Sequence, residues 1–142
     1  MSVALDTSVV IRLLTGTPAA QAELAREAIA SESEPVTVSD LVVSESYFAL
    51  RHHYAVTHLA AVRSLASMLH DPRVHGSGIA PVVMSALAKD GGENPRPGVM
   101  DRLIQADYRR EELELLSFDR DVCRLPHTRL LASGERSPET SR

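Results

Sequence analysis

Short apolar runs alternate with longer segments of helical spacing along the whole chain. Five runs have the length of strands, and they occupy residues 3–5, 35–38, 74–78, 113–118 and 125–131. The segments between them predict helices at residues 9–14, 19–30, 40–54, 57–70, 80–89 and 99–110. Strands that alternate with helices predict an α/β fold, in which helices flank a central parallel sheet of four to five short strands as a three-layer sandwich.

Local signals set several boundaries within this pattern. Ser39 and Asp40 have side chains that cap helices, so the third predicted helix should begin at this pair. The Gly- and Pro-rich stretch at 90–98 is the clearest loop. The polar end at 133–142 predicts a flexible tail, which leaves residues 1–132 as one domain.

Composition excludes several classes of protein. The 142 residues are 44% hydrophobic and 24% charged, as in globular domains. Cys123 is the only cysteine, which excludes an internal disulfide and a thiolate-rich zinc site. The chain shows no secretory signal and no apolar run of spanning length, so we expect a cytoplasmic protein without a membrane partner. A net charge of −4 argues mildly against binding nucleic acid mainly through phosphate neutralisation.

Two predicted strands end in a carboxylate. Asp6 follows the run at 3–5, and Asp119 follows the run at 113–118. Parallel strands bring their carboxyl ends to one edge of a sheet, where α/β proteins bind ligands. For either residue alone, a role as a cap of the following turn is the simpler interpretation.

Glu45 lies in an unusual part of its predicted helix. One face carries Leu41, Glu45, Phe48 and His52, and nearly the opposite face is apolar as well. A carboxylate within an apolar stripe is costly unless it is paired or binds a cation. A salt bridge to Arg51 and a cation site are equally compatible with this position.

Asp101 lies in the first turn of a predicted helix, where an acid stabilises the helix dipole. By itself this residue would not indicate a site. Carboxylates grouped without cysteine or patterned histidine suit a hard cation such as Mg²⁺ or Mn²⁺. Spacing alone does not show that these acids converge.

Four blocks of the chain resemble the PIN-domain ribonucleases, and among them the VapC-type toxins of toxin–antitoxin pairs. The blocks are ALDTSVV at 4–10, VSDLVVSE at 38–45, MDRLIQA at 100–106 and LLSFDRD at 115–121. Their order and distances are similar to those of the family, and the resemblance runs from residue 3 to about residue 131. It implies a PIN-like α/β/α sandwich.

The resemblance implies that four acids are catalytic and ligate Mg²⁺ or Mn²⁺, namely Asp6, Glu45, Asp101 and Asp119. It also implies that Thr7 and Ser117 orient a water or phosphate around the ion. Asp121 could help a second ion, although a surface acid is the simpler interpretation. The chain departs from the family at Glu112, where Gly is usual, and at Asp107, where a small or neutral residue is common.

The function implied by the resemblance is an endoribonuclease that hydrolyses RNA and acts as the toxin of a toxin–antitoxin pair. The expected partners are the RNA substrate, a cognate antitoxin and a second copy in a homodimer. A catalytically weak PIN-like binding module is the first alternative. An aspartate-nucleophile phosphatase is the second, but that chemistry needs another acid where this chain has Ser8.

Other polar residues point to no competing site. The six histidines lack ligand spacing, and we interpret them as non-catalytic. The arginines near the third acid suit either RNA phosphate or solvent, and they are Arg96, Arg102, Arg109 and Arg110. The second stripe of the Glu45 helix suits the core or a partner surface, and it consists of Val43, Tyr47, Leu50 and Tyr54.

Overall fold

The computed structural model describes residues 2–132. The elements are α1 (Thr7–Thr15), α2 (Ala19–Ser31), β1 (Val36–Val38), α3 (Asp40–His52), α4 (His58–His70), β2 (Val74–Gly76), α5 (Ala80–Asp90), α6 (Val99–Arg110), β3 (Leu115–Ser117) and β4 (Thr128–Leu130), with a 3-10 helix at Val122–Arg124. The chain divides into two compact units, Met1–Pro95 and Arg96–Arg142.

Strand β1 organises the first unit. It pairs in parallel with β2, with Thr37 opposite His75. On its other side Thr37 forms a parallel bridge with Ala4. The Leu5 amide donates to the Thr37 carbonyl, and the Thr37 amide donates to the Val3 carbonyl, both at 2.9 Å. The strand predicted at 3–5 is therefore only a bridge, because the chain turns into α1 directly after Leu5.

Three helices of the first unit begin at a polar side chain that accepts a backbone amide of the first turn. These caps are Asp6 for α1, Ser39 for α3 and Thr57 for α4. The predicted start of the third helix is thereby confirmed. Helices α1 and α5 end at Gly16 and Gly91, whose φ angles of 70° and 75° suit glycine.

Aliphatic side chains fill most of the core of the first unit, since aromatic residues make up only 4% of the chain. Helix α4 packs on α5 and α3, and α1 packs on α2 and α3. Each large side chain removed from water stabilises the fold by about 1.5–3 kcal/mol. The largest fully buried apolar side chains of this unit are those of Val10, Val36, Val38, Val43, Val62, Leu65 and Met84.

The Asp40 carboxylate joins the start of α5 to the start of α3. Its two oxygens accept the backbone amides of Ile79 and Ala80, at 3.0 and 2.8 Å. Gly78 makes this contact possible, because a Cβ there would overlap the Asp40 carboxylate. Asp40 therefore satisfies amides at the N-terminus of a helix distant in sequence.

The second unit contains α6 and a separate parallel pair. Strand β3 pairs with β4, with Leu115 opposite Thr128 and Ser117 opposite Leu130. The Gln105 side chain on α6 donates to the carbonyl of Pro126, at 2.8 Å. This bond links α6 to the segment that leads into β4.

The α/β class predicted from the sequence is confirmed. Within residues 2–132, four strands and the Ala4 bridge are present, and every pairing between them is parallel. This content is compatible with the predicted three-layer sandwich. The predicted tail at 133–142 lies outside the described residues. Over the described part of the chain, no helix is long and apolar enough to cross a membrane.

The end of α6 supports a stability prediction. The amides of Leu113 and Glu112 donate to the carbonyls of Tyr108 and Arg109, which is the Schellman pattern. Glu112 has a φ of 61°, a left-handed conformation that glycine adopts without strain. We therefore expect Glu112→Gly to stabilise the protein by about 1 kcal/mol and to raise Tm by about 2–4 °C in thermal denaturation.

Glu111→Gly is the matched control, because Glu111 has an ordinary φ of −95°. It also removes a glutamate side chain, but it relieves no strain and should leave Tm unchanged or lower it. A Glu112→Gly protein no more stable than the wild type would contradict the prediction.

Candidate active site

Asp6 sits at the N-terminus of α1 with an exposed side chain. Its Oδ1 accepts the Ser8 hydroxyl at 2.6 Å and the Val9 amide at 3.2 Å. The bond from Ser8 contributes most, and the Val9 amide next, to a pKa of Asp6 below its ordinary value. Asp6 is therefore an ionised carboxylate at neutral pH. Thr7, predicted to orient a water or phosphate, is the half-buried first residue of α1.

Glu45 lies on α3, in the same unit as Asp6. Two residues after the Ala4–Thr37 bridge, Asp6 and Ser39 cap α1 and α3. Because the bridged segments are parallel, both helices begin at the same edge of the sheet. Glu45 lies six residues beyond the cap, about 9 Å along the helix axis.

The stripe that contains Glu45 is exposed. Leu41 and Phe48 are 81% and 44% exposed, and Glu45 and His52 are exposed as well. The expectation that Glu45 suffers a cost of burial is therefore wrong, because helix periodicity identifies an apolar stripe without showing which stripe faces the core. The Arg51 guanidinium, its predicted alternative partner, donates to the carbonyl of Val56 at 3.0 Å.

The opposite stripe of α3 forms the core face, which is one of the two roles that the sequence suggested for it. Val43, Tyr47 and Leu50 are buried, whereas Tyr54 is exposed. The Tyr47 hydroxyl lies 2.7 Å from Nδ1 of the buried His58, and burial raises the pKa of Tyr47 above its ordinary value. This polar pair in the core was not predicted, because the position of Tyr47 in its stripe does not show that its hydroxyl meets His58.

The second unit holds Asp101 and Asp119. Asp101 is half-buried in the first turn of α6. Asp119 is exposed just after β3, where its amide donates to the Ser117 hydroxyl at 3.0 Å. Its Oδ1 accepts the Asp121 amide at 2.8 Å, and Asp121 also lies 3.8 Å from the Arg124 guanidinium. Ser117 and Asp121 are therefore direct neighbours of Asp119.

Two of the four arginines considered for RNA binding are held by groups of the second unit. Arg102 donates to the carbonyls of Pro97 and Arg96, at 2.7 and 3.2 Å. Arg110 pairs with Asp107 at 2.7 Å. The unusual acid at position 107 is thus neutralised locally, and Arg96 and Arg109 remain the better candidates for phosphate contact.

The PIN domain family model matches residues 3–127. This range covers most of the chain and includes parts of both units. The chain belongs to the PIN domain family. PIN domains are in general metal-dependent nucleases, so membership supports a nuclease role. No curated protein and no solved structure matches the chain.

The acids of this PIN domain have the donor chemistry of a site for a hard cation. Carboxylate oxygens are preferred ligands of Mg²⁺, and Asp6 is ionised at neutral pH. Asp6 and Glu45 belong to the first unit, and Asp101 and Asp119 belong to the second. Within residues 2–132, no three Asp, Glu, His or Cys side chains lie close enough to hold a metal ion.

The two roles of Asp6, as cap and as charge, are separable by mutation. Asn caps helices about as well as Asp, whereas Ala does not. We expect Asp6→Ala to lower Tm at neutral pH and Asp6→Asn to change it much less. Equal losses of Tm in the two variants would contradict the capping role.

The lowered pKa of Asp6 also predicts a dependence of stability on pH. The folded state favours the charged form, so this contribution is present above the ordinary pKa of aspartate. It is lost as the pH falls through the lowered pKa. Thermal denaturation across acidic pH should show this loss in the wild type and less of it in Ser8→Ala, which lacks the main hydrogen bond.

Proposed function

We propose that this PIN domain is a metal-dependent endoribonuclease in which Asp6, Glu45, Asp101 and Asp119 hold Mg²⁺ or Mn²⁺. One observation carries the proposal: an ionised, exposed Asp6 caps α1 in a chain whose family match extends over residues 3–127. The ion would supply an activated water and would neutralise charge on the leaving oxygen.

The reaction is hydrolysis of a phosphodiester, in which water adds to phosphorus and a P–O bond breaks. In this proposal Asp6 needs no proton transfer to act as a ligand, since its hydrogen bonds already favour the anion. Thr7 and Ser117 orient the water or the phosphate. Asp121 acts through Asp119, whose carboxylate accepts the Asp121 amide.

The choice of RNA, the toxin role and the partners rest on the resemblance of four sequence blocks to VapC-type toxins. We propose that the protein acts in the cytoplasm as a homodimer and is inhibited by a cognate antitoxin. The exposed Leu41 and Phe48 on α3, beside Glu45, support a site open to a large substrate.

The nuclease proposal predicts metal-dependent cleavage by the purified full chain. A panel of structured and single-stranded RNAs should be cut with Mg²⁺ or Mn²⁺ and left intact with EDTA. Asp6→Asn and Glu45→Gln should each lower the rate of cleavage by at least about a hundredfold. Substitution of residues that only orient metal ligands already lowers metal affinity or activity by about 10- to 100-fold. Thr7→Ala and Ser117→Ala should fall within that smaller range.

Asp90→Asn and Glu27→Gln are the matched controls, because both remove an exposed charge on a helix of the first unit. They should cleave at the wild-type rate. Cleavage by Asp6→Asn at the wild-type rate, or no cleavage by the wild type with either metal, would refute the nuclease proposal.

The toxin proposal predicts growth arrest when the full chain is expressed in bacteria. Asp6→Ala should restore growth at matched protein levels, and co-expression of a cognate antitoxin should restore it for the wild type. Arrest that persists in Asp6→Ala would show that toxicity does not depend on Asp6. Unhindered growth with the wild type would contradict the toxin role and leave the nuclease test unaffected.

A further inference from the structure

We propose that Phe48 and His52 on α3 form a stacking platform for a base of single-stranded RNA, next to the acid Glu45. The proposal deepens the nuclease function and takes its substrate class from it. Phe48 and His52 are one helical turn apart, and both side chains are exposed.

The two rings already form a stack. Their centroids are 5.8 Å apart, and their planes differ by only 14°. Phe48 is 44% exposed, so part of its surface is open to a further planar group. A nucleobase is such a group, and stacking on an aromatic side chain needs no particular base.

The core holds this platform in place. The Tyr47 ring meets Phe48 edge to face, with centroids 5.9 Å apart and planes at 76°. Tyr47 is itself fixed by His58, through the 2.7 Å hydrogen bond and a second edge-to-face contact at 5.7 Å. A row of four rings thus runs from the core to the surface, and a preorganised ring loses little freedom when a ligand binds.

The platform is next to the proposed chemistry. Glu45 lies three residues before Phe48 on the same face, about 4.5 Å along the helix axis, and His52 lies about 10.5 Å from it. The helix therefore carries an acid for a metal ion at one position and stacked rings within the next two turns. A base stacked there would belong to a nucleotide close to the phosphate that is cut.

The mixed chemistry of this face favours RNA over a protein partner. The centres of protein interfaces are depleted in charged residues. Here the Glu45 carboxylate and the His52 imidazole flank Phe48. His53 lies at the same end of the helix, together with Arg51, whose guanidinium also donates to the Val56 carbonyl. A nucleotide offers a planar base for the rings and an anionic phosphate for the basic end.

The absence of tryptophan from the chain makes a direct test possible. In Phe48→Trp the only indole lies on the platform. A single-stranded oligoribonucleotide, titrated in EDTA to prevent cleavage, should quench its emission. The midpoint should match that of the anisotropy of the fluorescently labelled oligonucleotide. Val82→Trp, at an exposed position on α5, is the matched control and should show no quenching.

Affinity provides the second readout. Phe48→Leu keeps an apolar side chain but lacks a ring, and it should weaken binding by about 5- to 150-fold. Phe48→Trp and His52→Tyr should retain the affinity, because both keep a planar ring. Unchanged Tm in Phe48→Leu would confirm that the variant is folded.

Several results would overturn the platform. These are an unquenched Phe48→Trp in saturated complex, wild-type affinity in Phe48→Leu, or no binding of single-stranded RNA by the wild type. A change of oligomeric state in Phe48→Leu without loss of RNA affinity would assign this face to a protein interface instead.

Binding and cleavage separate this inference from the proposed nuclease function. RNA that quenches Phe48→Trp but is never cleaved would support the platform and refute the nuclease. RNA that Phe48→Leu cleaves with wild-type KM and kcat would support the nuclease and refute the platform.

Discussion

The parallel register that aligns Ala4, Thr37 and His75 is the constraint on which the candidate site of the first unit depends. In this register, the segments that contain Ala4 and Thr37 end at the same edge of the sheet. Asp6 caps α1 at this edge, and Ser39 caps α3. The Asp40 carboxylate then draws the start of α5 to the same place through two backbone amides. A shift of one residue would turn every side chain of β1 to the opposite face and remove the alignment of these helix starts.

The sequence predicted the six α-helices of residues 2–132, because helix boundaries carry local signals, but it did not predict the 3-10 helix at Val122–Arg124. Ser39 and Thr57 are visible caps, and Gly16 and Gly91 mark left-handed ends. The extent of pairing in the segment at 3–5 could not be predicted from the sequence. Its apolar residues suit a strand, but its pairing consists of a single bridge to Thr37 that depends on residues more than thirty positions away.

The acidic residues of the candidate site could be predicted from the sequence, but their burial and their contacts could not. Asp6 and Asp119 follow apolar runs, which a reader of the sequence can see, and the structure places both at the ends of strand segments. The exposure of Glu45 was not predictable, because both stripes of α3 are apolar and only tertiary packing decides which one is buried. The sequence also did not show that the Asp40 carboxylate accepts the backbone amides at the start of α5, since these amides lie about forty residues away.

The net charge of this proposed nuclease and its stacked rings make different contributions to the affinity for RNA. With a net charge of −4, the chain lacks the basic surplus by which many proteins neutralise RNA phosphates. Two of its candidate arginines, Arg102 and Arg110, already bind groups of their own unit. On the proposed mechanism, cations held by the acids and bases stacked on Phe48 therefore add to the phosphate contacts left to Arg96 and Arg109. Stacking does not release counterions, so affinity carried by this ring should depend less on salt than affinity carried by phosphate contacts.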